Sequence, residues 1–362
     1  MLEAREAVRN LYAYRPPLAG RVGLRLDFNE STVGCSPRVL ARLRSLDSEL
    51  LARYPEREPV EKEVAGFLGL DPAQVLLTNG VDEAIHLLCS TYLDPGDEAL
   101  IVVPTFAMYA IFAQAEGARV VEVRAGDNFT FPAKDLLAQL SPRTRLIAVA
   151  NPNNPTGAAV AGDVLMQIAQ TSPQAAVLVD EAYFEFHGET LLGQTRQIDN
   201  LFVARTFSKA YGLAGLRIGI LAGEARQMAM VRRVASPYNV NAAALTVLPE
   251  AIRDQEYVNG YVAQVLSNRD KLQQELGNLG LHYWPSHANF VLVSIGSAHA
   301  EFVRALRDSG ILVRDRHSDP GCDGCVRLTV GTEEHTETLI VALRDVVERL
   351  GLRRGLRNEV RA

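Results

Sequence analysis

Lysine is scarce in this chain: only four occur in 362 residues. Lys62 lies in the charged run Glu61-Lys-Glu63, Lys134 follows Pro132 in a helical stretch, and Lys271 follows Arg269-Asp270, so all three read as surface residues. Cysteine is equally sparse, and four in a chain of this length make no disulfide framework. Cys322 and Cys325 form a lone C-x-x-C, with no second pair or histidine spacing to complete a zinc site. The segment Gly321-Cys-Asp-Gly-Cys325 reads as a glycine-rich turn joining two strands. No two glycines flank a single residue, which excludes the G-x-G fingerprint of dinucleotide-binding folds. No Gly-Lys pair exists, so Ala175–Glu181, although it ends in Asp-Glu, lacks the phosphate loop that would make it a nucleotide-hydrolysis strand. Asp180 and Glu181 are successive strand residues pointing to opposite faces, a poor start for a magnesium site. We expect no metal.

Long hydrophobic runs are missing too. The most apolar window, Ala99 to Ala115, is broken by Pro104 and Thr105 and is short for a bilayer, so it reads as a buried strand running into a helix. The first twenty residues mix charges and prolines without an apolar signal core. A net charge of −6 gives no general attraction to nucleic acid or anionic membrane. The expectation is a soluble, cytoplasmic protein with neither partner.

What the chain does have is 48% hydrophobic content, ample for a core. Short apolar runs predict strands at Val75–Thr78, Ala99–Val103, Val120–Val123, Leu146–Ala150, Ala176–Asp180, Leu201–Arg205 and Ile218–Leu221. Helical patterns such as Asp82–Tyr92, Ala107–Glu116 and Asp163–Gln170 lie between several of them. This alternation predicts an α/β domain, a mainly parallel sheet covered by helices. A long helical region follows from Asn241, with a break expected near Pro249. From Leu281 the pattern reads strand Phe290–Ser294, helix Ala298–Asp308, strands Ile311–Val313 and Val326–Val330, and helix Glu333–Leu350. We therefore expect a large domain over 45–255 and a small α+β domain from 1–44 and 256–362, with a cleft between them.

The fourth lysine, Lys209, stands apart, in Thr206-Phe-Ser-Lys-Ala-Tyr-Gly-Leu-Ala-Gly-Leu-Arg-Ile-Gly219. A crowded, partly desolvated amine loses its proton more easily, which suits imine chemistry. Pyridoxal 5′-phosphate needs such a lysine, an acid to hold its pyridine nitrogen protonated, and donors for its ring oxygen and phosphate. Asp180 ends a buried strand, where open α/β sheets place ligands. Tyr183 and Asn154, the latter in Asn151-Pro-Asn-Asn-Pro-Thr-Gly157, can both reach the ring oxygen. Asn79-Gly-Val-Asp82 joins a strand to a helix, so the free N–H groups of Val81 and Asp82 offer an anion site, which Thr206, Ser208 and Arg217 can complete. Phe106 can stack on the ring. Each residue alone has a bland reading as turn, cap or core; all of them in this order, each beyond a strand end, do not.

These segments resemble the fold-type I, class I/II aminotransferases, and within them the histidinol-phosphate aminotransferase family. The likeness extends from Leu26-Asp-Phe-Asn-Glu30 through Arg53-Tyr-Pro-Glu56 to Val313-Arg-Asp-Arg316 and Val326-Arg-Leu-Thr-Val-Gly-Thr332. The resemblance implies a Schiff base on Lys209, Asp180 on the pyridinium nitrogen, and catalytic or cofactor roles for the residues above. It implies that Tyr54 reaches the cofactor phosphate of a second subunit, so that the active unit is a homodimer. It makes Arg327 the substrate-anion arginine, with Arg314 and Tyr14 beside it, and it implies ping-pong exchange between an amino donor and a 2-oxo acid. Histidinol phosphate with 2-oxoglutarate is the substrate pair it favours, in histidine biosynthesis. An aromatic amino-acid aminotransferase and a decarboxylase resembling the threonine-phosphate enzyme are the alternatives. A DNA-binding regulator built on this fold is not expected, since the chain leaves no room for a further domain before Asp27 or after Gly351. Two departures bear on substrate choice: Phe28-Asn-Glu-Ser31 stands where many members read Asn-Glu-Asn-Pro, and the cysteine-bearing loop precedes Arg327.

Overall fold

The computed structural model describes residues 2–352. Thirteen strands follow in chain order: β1 Leu24–Arg25, β2 Val75–Thr78, β3 Glu98–Val103, β4 Arg119–Arg124, β5 Thr144–Ala150, β6 Ala176–Asp180, β7 Leu201–Thr206, β8 Gly219–Ala222, β9 His282–Trp284, β10 Phe290–Ser294, β11 Ile311–Leu312, β12 Arg314–Asp315 and β13 Cys325–Thr329. The seven strands expected through the middle of the chain all form, each within two residues of its expected limits. They assemble into one sheet in the order β2-β8-β7-β6-β5-β3-β4. Only β8 runs antiparallel to its neighbours β2 and β7; the remaining pairings are parallel.

The central strands are buried from end to end, because helices cover both faces of the sheet. Hence their near-continuous runs of Val, Leu, Ile and Ala. One apolar cluster lies on the side of Leu77, Val177 and Val203, the other on the side of Leu76, Leu178 and Phe202. The strands β2, β3, β5, β6 and β7 all end at the same edge. The residue following each of these ends, or a few beyond it, belongs to the site described below.

The remaining strands build a four-stranded antiparallel sheet, β12-β13-β10-β9, and a short parallel pair, β1 with β11. Four of these, β1, β9, β11 and β12, are two or three residues long, and all but β11 give too little periodicity to read from sequence. In this sheet Arg327 of β13 lies directly opposite Arg314 of β12 on one side and Leu292 of β10 on the other. Directly opposed residues share a face, so two guanidinium groups are set side by side.

The break expected near Pro249 is not there. Helix Ala242–Arg253 carries Pro249 inside it, and the chain breaks at Asp254 before helix Gln255–Asn278. Asp254 leaves the helical region at φ −93°, ψ 55°. A proline removes one hydrogen bond from its helix; here buried Ala244, Leu245, Val247, Leu248, Ala251 and Ile252 hold the segment on both sides of it. Cys322, in the turn between β12 and β13, and Cys325, the first residue of β13, are free and buried against Leu292, Trp284 and Phe129. Among the described residues no helix is long and apolar enough to cross a membrane.

Candidate active site

A cavity opens at the shared C-terminal edge of β2, β3, β5, β6 and β7. Its lining includes Val81, Asp82, Phe106, Asn154, Asp180, Tyr183, Thr206, Ser208, Lys209 and Arg217. Ten of the residues selected from the sequence thus meet in one place. Strand direction explains this: each residue lies at or just beyond a strand end, and parallel neighbours bring those ends together.

Asp180 is the last residue of β6, buried between Ala150 of β5 and Ala204 of β7. Its carboxylate accepts hydrogen bonds from the Tyr109 hydroxyl at 2.5 Å and the Ala182 backbone N–H at 3.0 Å. Burial pushes its pKa up to about 6, against these two bonds and with Asp82 and Glu181 adding to the rise. Among the described residues it has no cationic partner. Tyr109 was not singled out from the sequence; in Ala107–Glu116 it reads as one more apolar helix position. It packs edge-on to Phe106, with ring centroids 5.8 Å apart.

Lys209 follows β7, and its Nζ donates to the Phe28 carbonyl at 3.1 Å. Burial, and then the positive charge of Arg327, lower its pKa to about 8. The amine is therefore available as a nucleophile or base near neutral pH. Tyr183 lies close by, its ring centroid 5.7 Å from Nζ. Its hydroxyl accepts from Asn29 Nδ2 at 2.9 Å, and burial raises its pKa.

The opposite end of the cavity suits an anion. Helix Gly80–Tyr92 starts there without a side-chain cap, leaving N–H groups of its first turn unpartnered. Gly80 has φ +75°, and a Cβ on it would meet Arg217 Nη2 at 2.6 Å, so only glycine lets that guanidinium lie against the helix start. Arg217, itself at φ +53°, pairs with Asp82 at 2.7 Å. Thr206 Oγ1 donates to Ser208 Oγ at 2.9 Å, placing two hydroxyls beside them.

Arg327 is buried and reaches in from the small sheet. Nη2 donates to the Asp27 carbonyl at 2.7 Å, Nη1 donates to Asn154 Oδ1, and Nε has no partner. Burial, with Arg316 and Arg314 nearby, lowers its pKa to about 10. The Arg314 side chain makes no hydrogen bond or ion pair among the described residues; its guanidinium lies over the Phe28 ring at 5.2 Å. Asp315 pairs with His299 at 2.9 Å. Arg316 pairs with Asp319. Two predicted residues lie outside this assembly. Tyr14 is exposed and makes no contact with the cavity, and Tyr54 is exposed and stacks on Tyr238 at 4.3 Å.

Residues 21–343 match the sequence profile described as aminotransferase class I and II. Histidinol-phosphate aminotransferase 1 of Trichormus variabilis is 33% identical, covering 94% of this chain and 97% of its own length. The chain is a class I and II aminotransferase. The histidinol-phosphate aminotransferase of Rhodopseudomonas palustris is 36% identical, covering 90% of this aminotransferase and 92% of itself. Among solved structures, the histidinol-phosphate aminotransferase of Sinorhizobium meliloti in complex with pyridoxal-5′-phosphate has TM-score 0.87 at 24% identity, covering 97% of this chain and 99% of its own. It shows the fold-type I architecture. A putative aminotransferase from Burkholderia pseudomallei has TM-score 0.78 at 29% identity, over 91% of this chain and 100% of its own.

The cofactor of this aminotransferase is pyridoxal 5′-phosphate, and the cavity fits it. Asp180 is a buried carboxylate that lacks a cation, which a protonated ring nitrogen supplies. The uncapped helix start with Arg217 and two hydroxyls matches a phosphate. Lys209 offers the amine between them.

Proposed function

We propose that this aminotransferase exchanges an amino group between histidinol phosphate and 2-oxoglutarate, as a step of histidine biosynthesis in the cytoplasm. The observation that carries the substrate choice is the facing pair Arg314 and Arg327. Two guanidinium groups opposed across β12 and β13, with Arg327 Nε unpartnered, suit a dianionic phosphate on one substrate and carboxylates on the other. The names of the relatives agree with that reading.

When bound, the cofactor supplies a ring that accepts electrons from the substrate's Cα bond. The residues divide the remaining work. Lys209 would hold the cofactor through its amine and serve as the base that moves the substrate Cα proton. Asp180 keeps the ring nitrogen protonated, with Tyr109 holding its carboxylate. Tyr183 and Asn154 serve the ring oxygen, and Phe106 covers the ring face. Val81, Asp82, Thr206, Ser208 and Arg217 hold the phosphate. Residues 45–255 form the unit that carries the cofactor. Residues 1–44 and 256–362, of which Met1 and 353–362 lie outside the described residues, form the unit that brings Arg314 and Arg327. The exposed Tyr54, stacked on Tyr238 of its own chain, acts on the phosphate of a second copy, making the active unit a homodimer.

Single-turnover absorbance on the cofactor-loaded enzyme tests this. Histidinol phosphate, phenylalanine and glutamate are added separately, and loss of the visible band is followed. Fast conversion by histidinol phosphate and glutamate with slow conversion by phenylalanine is the expected result. Fast conversion by phenylalanine with histidinol phosphate inert makes the enzyme an aromatic aminotransferase and removes Arg314 from substrate binding.

A further inference from the structure

Three consecutive residues, Asp27, Phe28 and Asn29, each bond a different functional group of the site. The Asp27 carbonyl accepts from Arg327 at 2.7 Å, the Phe28 carbonyl from Lys209 at 3.1 Å, and Asn29 Nδ2 donates to the Tyr183 hydroxyl at 2.9 Å. The segment is held firmly. Arg21 binds the Asp27 carboxylate through two nitrogens, at 3.0 and 2.7 Å, and lies over the Phe28 ring at 4.3 Å. Asn29 is fully enclosed, 1% exposed, in the left-handed region at φ +56°. That conformation is tolerated best by glycine and asparagine or aspartate.

The hydrogen bonds around Asn29 run in one sequence. Its backbone N–H donates to Thr329 Oγ1 at 3.1 Å, and that hydroxyl sends its own proton to Asn29 Oδ1 at 3.0 Å. With Oδ1 taken, the amide presents Nδ2 to Tyr183. An NH₂ group only donates, so the phenol oxygen receives that bond and must direct its own proton elsewhere. The cavity is what Tyr183 faces otherwise.

We propose that Asn29, locked by Thr329, is a positioning residue that aims the Tyr183 hydroxyl proton at the ring oxygen of the bound cofactor. The chain Thr329–Asn29–Tyr183 fixes the phenol as a donor before any ligand arrives, at no reorganisation cost on binding. The inference rests on the assignment of Tyr183 to the ring oxygen made above. The charged and titratable groups facing Tyr183 are Arg327 from β13, Arg316 just after β12, Asp180 from β6, Tyr109 from the helix after β3 and Lys209 from the loop after β7. All of them stay in place in the variants below.

A hydroxyl donating to the ring oxygen stabilises the cofactor after it loses its proton. Losing that donation raises the pH at which the visible absorbance changes. The experiment is a pH titration of that absorbance in cofactor-loaded protein without substrate. Asn29→Asp keeps the shape and tolerates the positive φ, but places an acceptor against Tyr183, which turns the phenol proton away from the cofactor. Its midpoint should rise by about one pH unit, as far as in Tyr183→Phe. Thr329→Val is isosteric and touches neither Tyr183 nor the cavity lining; by freeing the Asn29 amide to rotate it should give a smaller rise in the same direction. Neither change should add to Tyr183→Phe in the double variant. A shift in Tyr183→Phe with wild-type midpoints in both Asn29→Asp and Thr329→Val overturns the proposal. If Asn29→Asp does not load cofactor, Thr329→Val decides alone. A wild-type midpoint in Tyr183→Phe removes the ring-oxygen role of Tyr183 itself, and the positioning role of Asn29 with it.

Discussion

Tyr109 donates to Asp180 from a helix that packs beneath the cofactor cavity, and the bond is the only side-chain contact that holds this carboxylate among the described residues. It keeps a buried acid ionisable: burial pushes Asp180 up to about 6, and the phenol works against that rise. In the apoprotein an acid raised in this way binds its proton more tightly folded than unfolded, so its ionisation costs stability as pH climbs from about 4 through about 6. A cofactor carrying a protonated ring nitrogen reverses that sign.

Tyr109→Phe removes the bond and little volume. Cofactor affinity at pH 7 should fall about tenfold, and the loss should grow as pH is lowered through 6, where Asp180 takes up a proton. Equilibrium dialysis at pH 5.5 and 8 checks this. Equal affinity for variant and wild type at both values would disconnect Tyr109 from Asp180.

Arg327→Ala leaves Asn154 Oδ1 and the Asp27 carbonyl without their donor and takes away the anion site. KM for glutamate should rise about 10- to 100-fold, the worth of a charge-assisted bond or two, with a smaller change in kcat. Steady-state kinetics with glutamate and with histidinol phosphate read both substrates. An unchanged KM for both would move anion recognition away from β13.

Lys209→Arg keeps the charge but not the reactive amine, so it should abolish turnover while the melting temperature stays close to wild type. Mixed with a Tyr54→Ala variant, it offers a test of the shared site. In a heterodimer of the two, one site combines an intact lysine with an intact tyrosine, and activity should return. Confirmed subunit exchange without regained activity would confine Tyr54 to its own surface.

Far from the cavity, Glu98 opens β3 with its carboxylate bonded to Ser141 at 2.7 Å, Arg119 at 2.7 Å and Arg143 at 2.8 Å. These bonds, Ser141 first, hold its pKa down to about 2. A depressed folded pKa adds stability above the unfolded value of 4.5 that disappears as pH falls toward 2. Glu98→Gln should therefore cost about 1–2 kcal/mol at pH 7 and progressively less below pH 4.5, a difference that urea melts at pH 7 and pH 3 resolve. An equal cost at both values would show that packing, not charge, is at stake.

The large sheet was legible because its strands are covered on both faces: runs such as Ala176–Asp180 and Leu201–Arg205 cannot be half-exposed helices. The strand ends then placed Asp180, Thr206 and Lys209 without further information. Reasoning from residue type failed where tertiary packing overrides it. Pro249 should end a helix, yet six buried neighbours keep it within one. Tyr109 went unread as a site residue because nothing local marks it, and Asn29 was read only within Phe28-Asn-Glu-Ser31, as bearing on substrate choice. Their importance comes from partners 71, 154 and 300 positions away, and sequence spacing carries no signal over such separations.

Those separations also set an order of events during synthesis. The segment from Leu24 to Asn29 finds several of its partners, Ile311, Leu312 and Thr329 among them, some 300 residues later. Contacts so distant in the chain form late, after the loops between them have closed. While the ribosome is still working, strands β2 to β8 and Lys209 have emerged, but the Asn29 amide that orients the Tyr183 hydroxyl still lacks Thr329, which locks it. A nascent chain thus carries its reactive amine long before the surroundings that direct it. The last strand to be made, β13, delivers both Arg327 and the lock on Asn29 in one stroke.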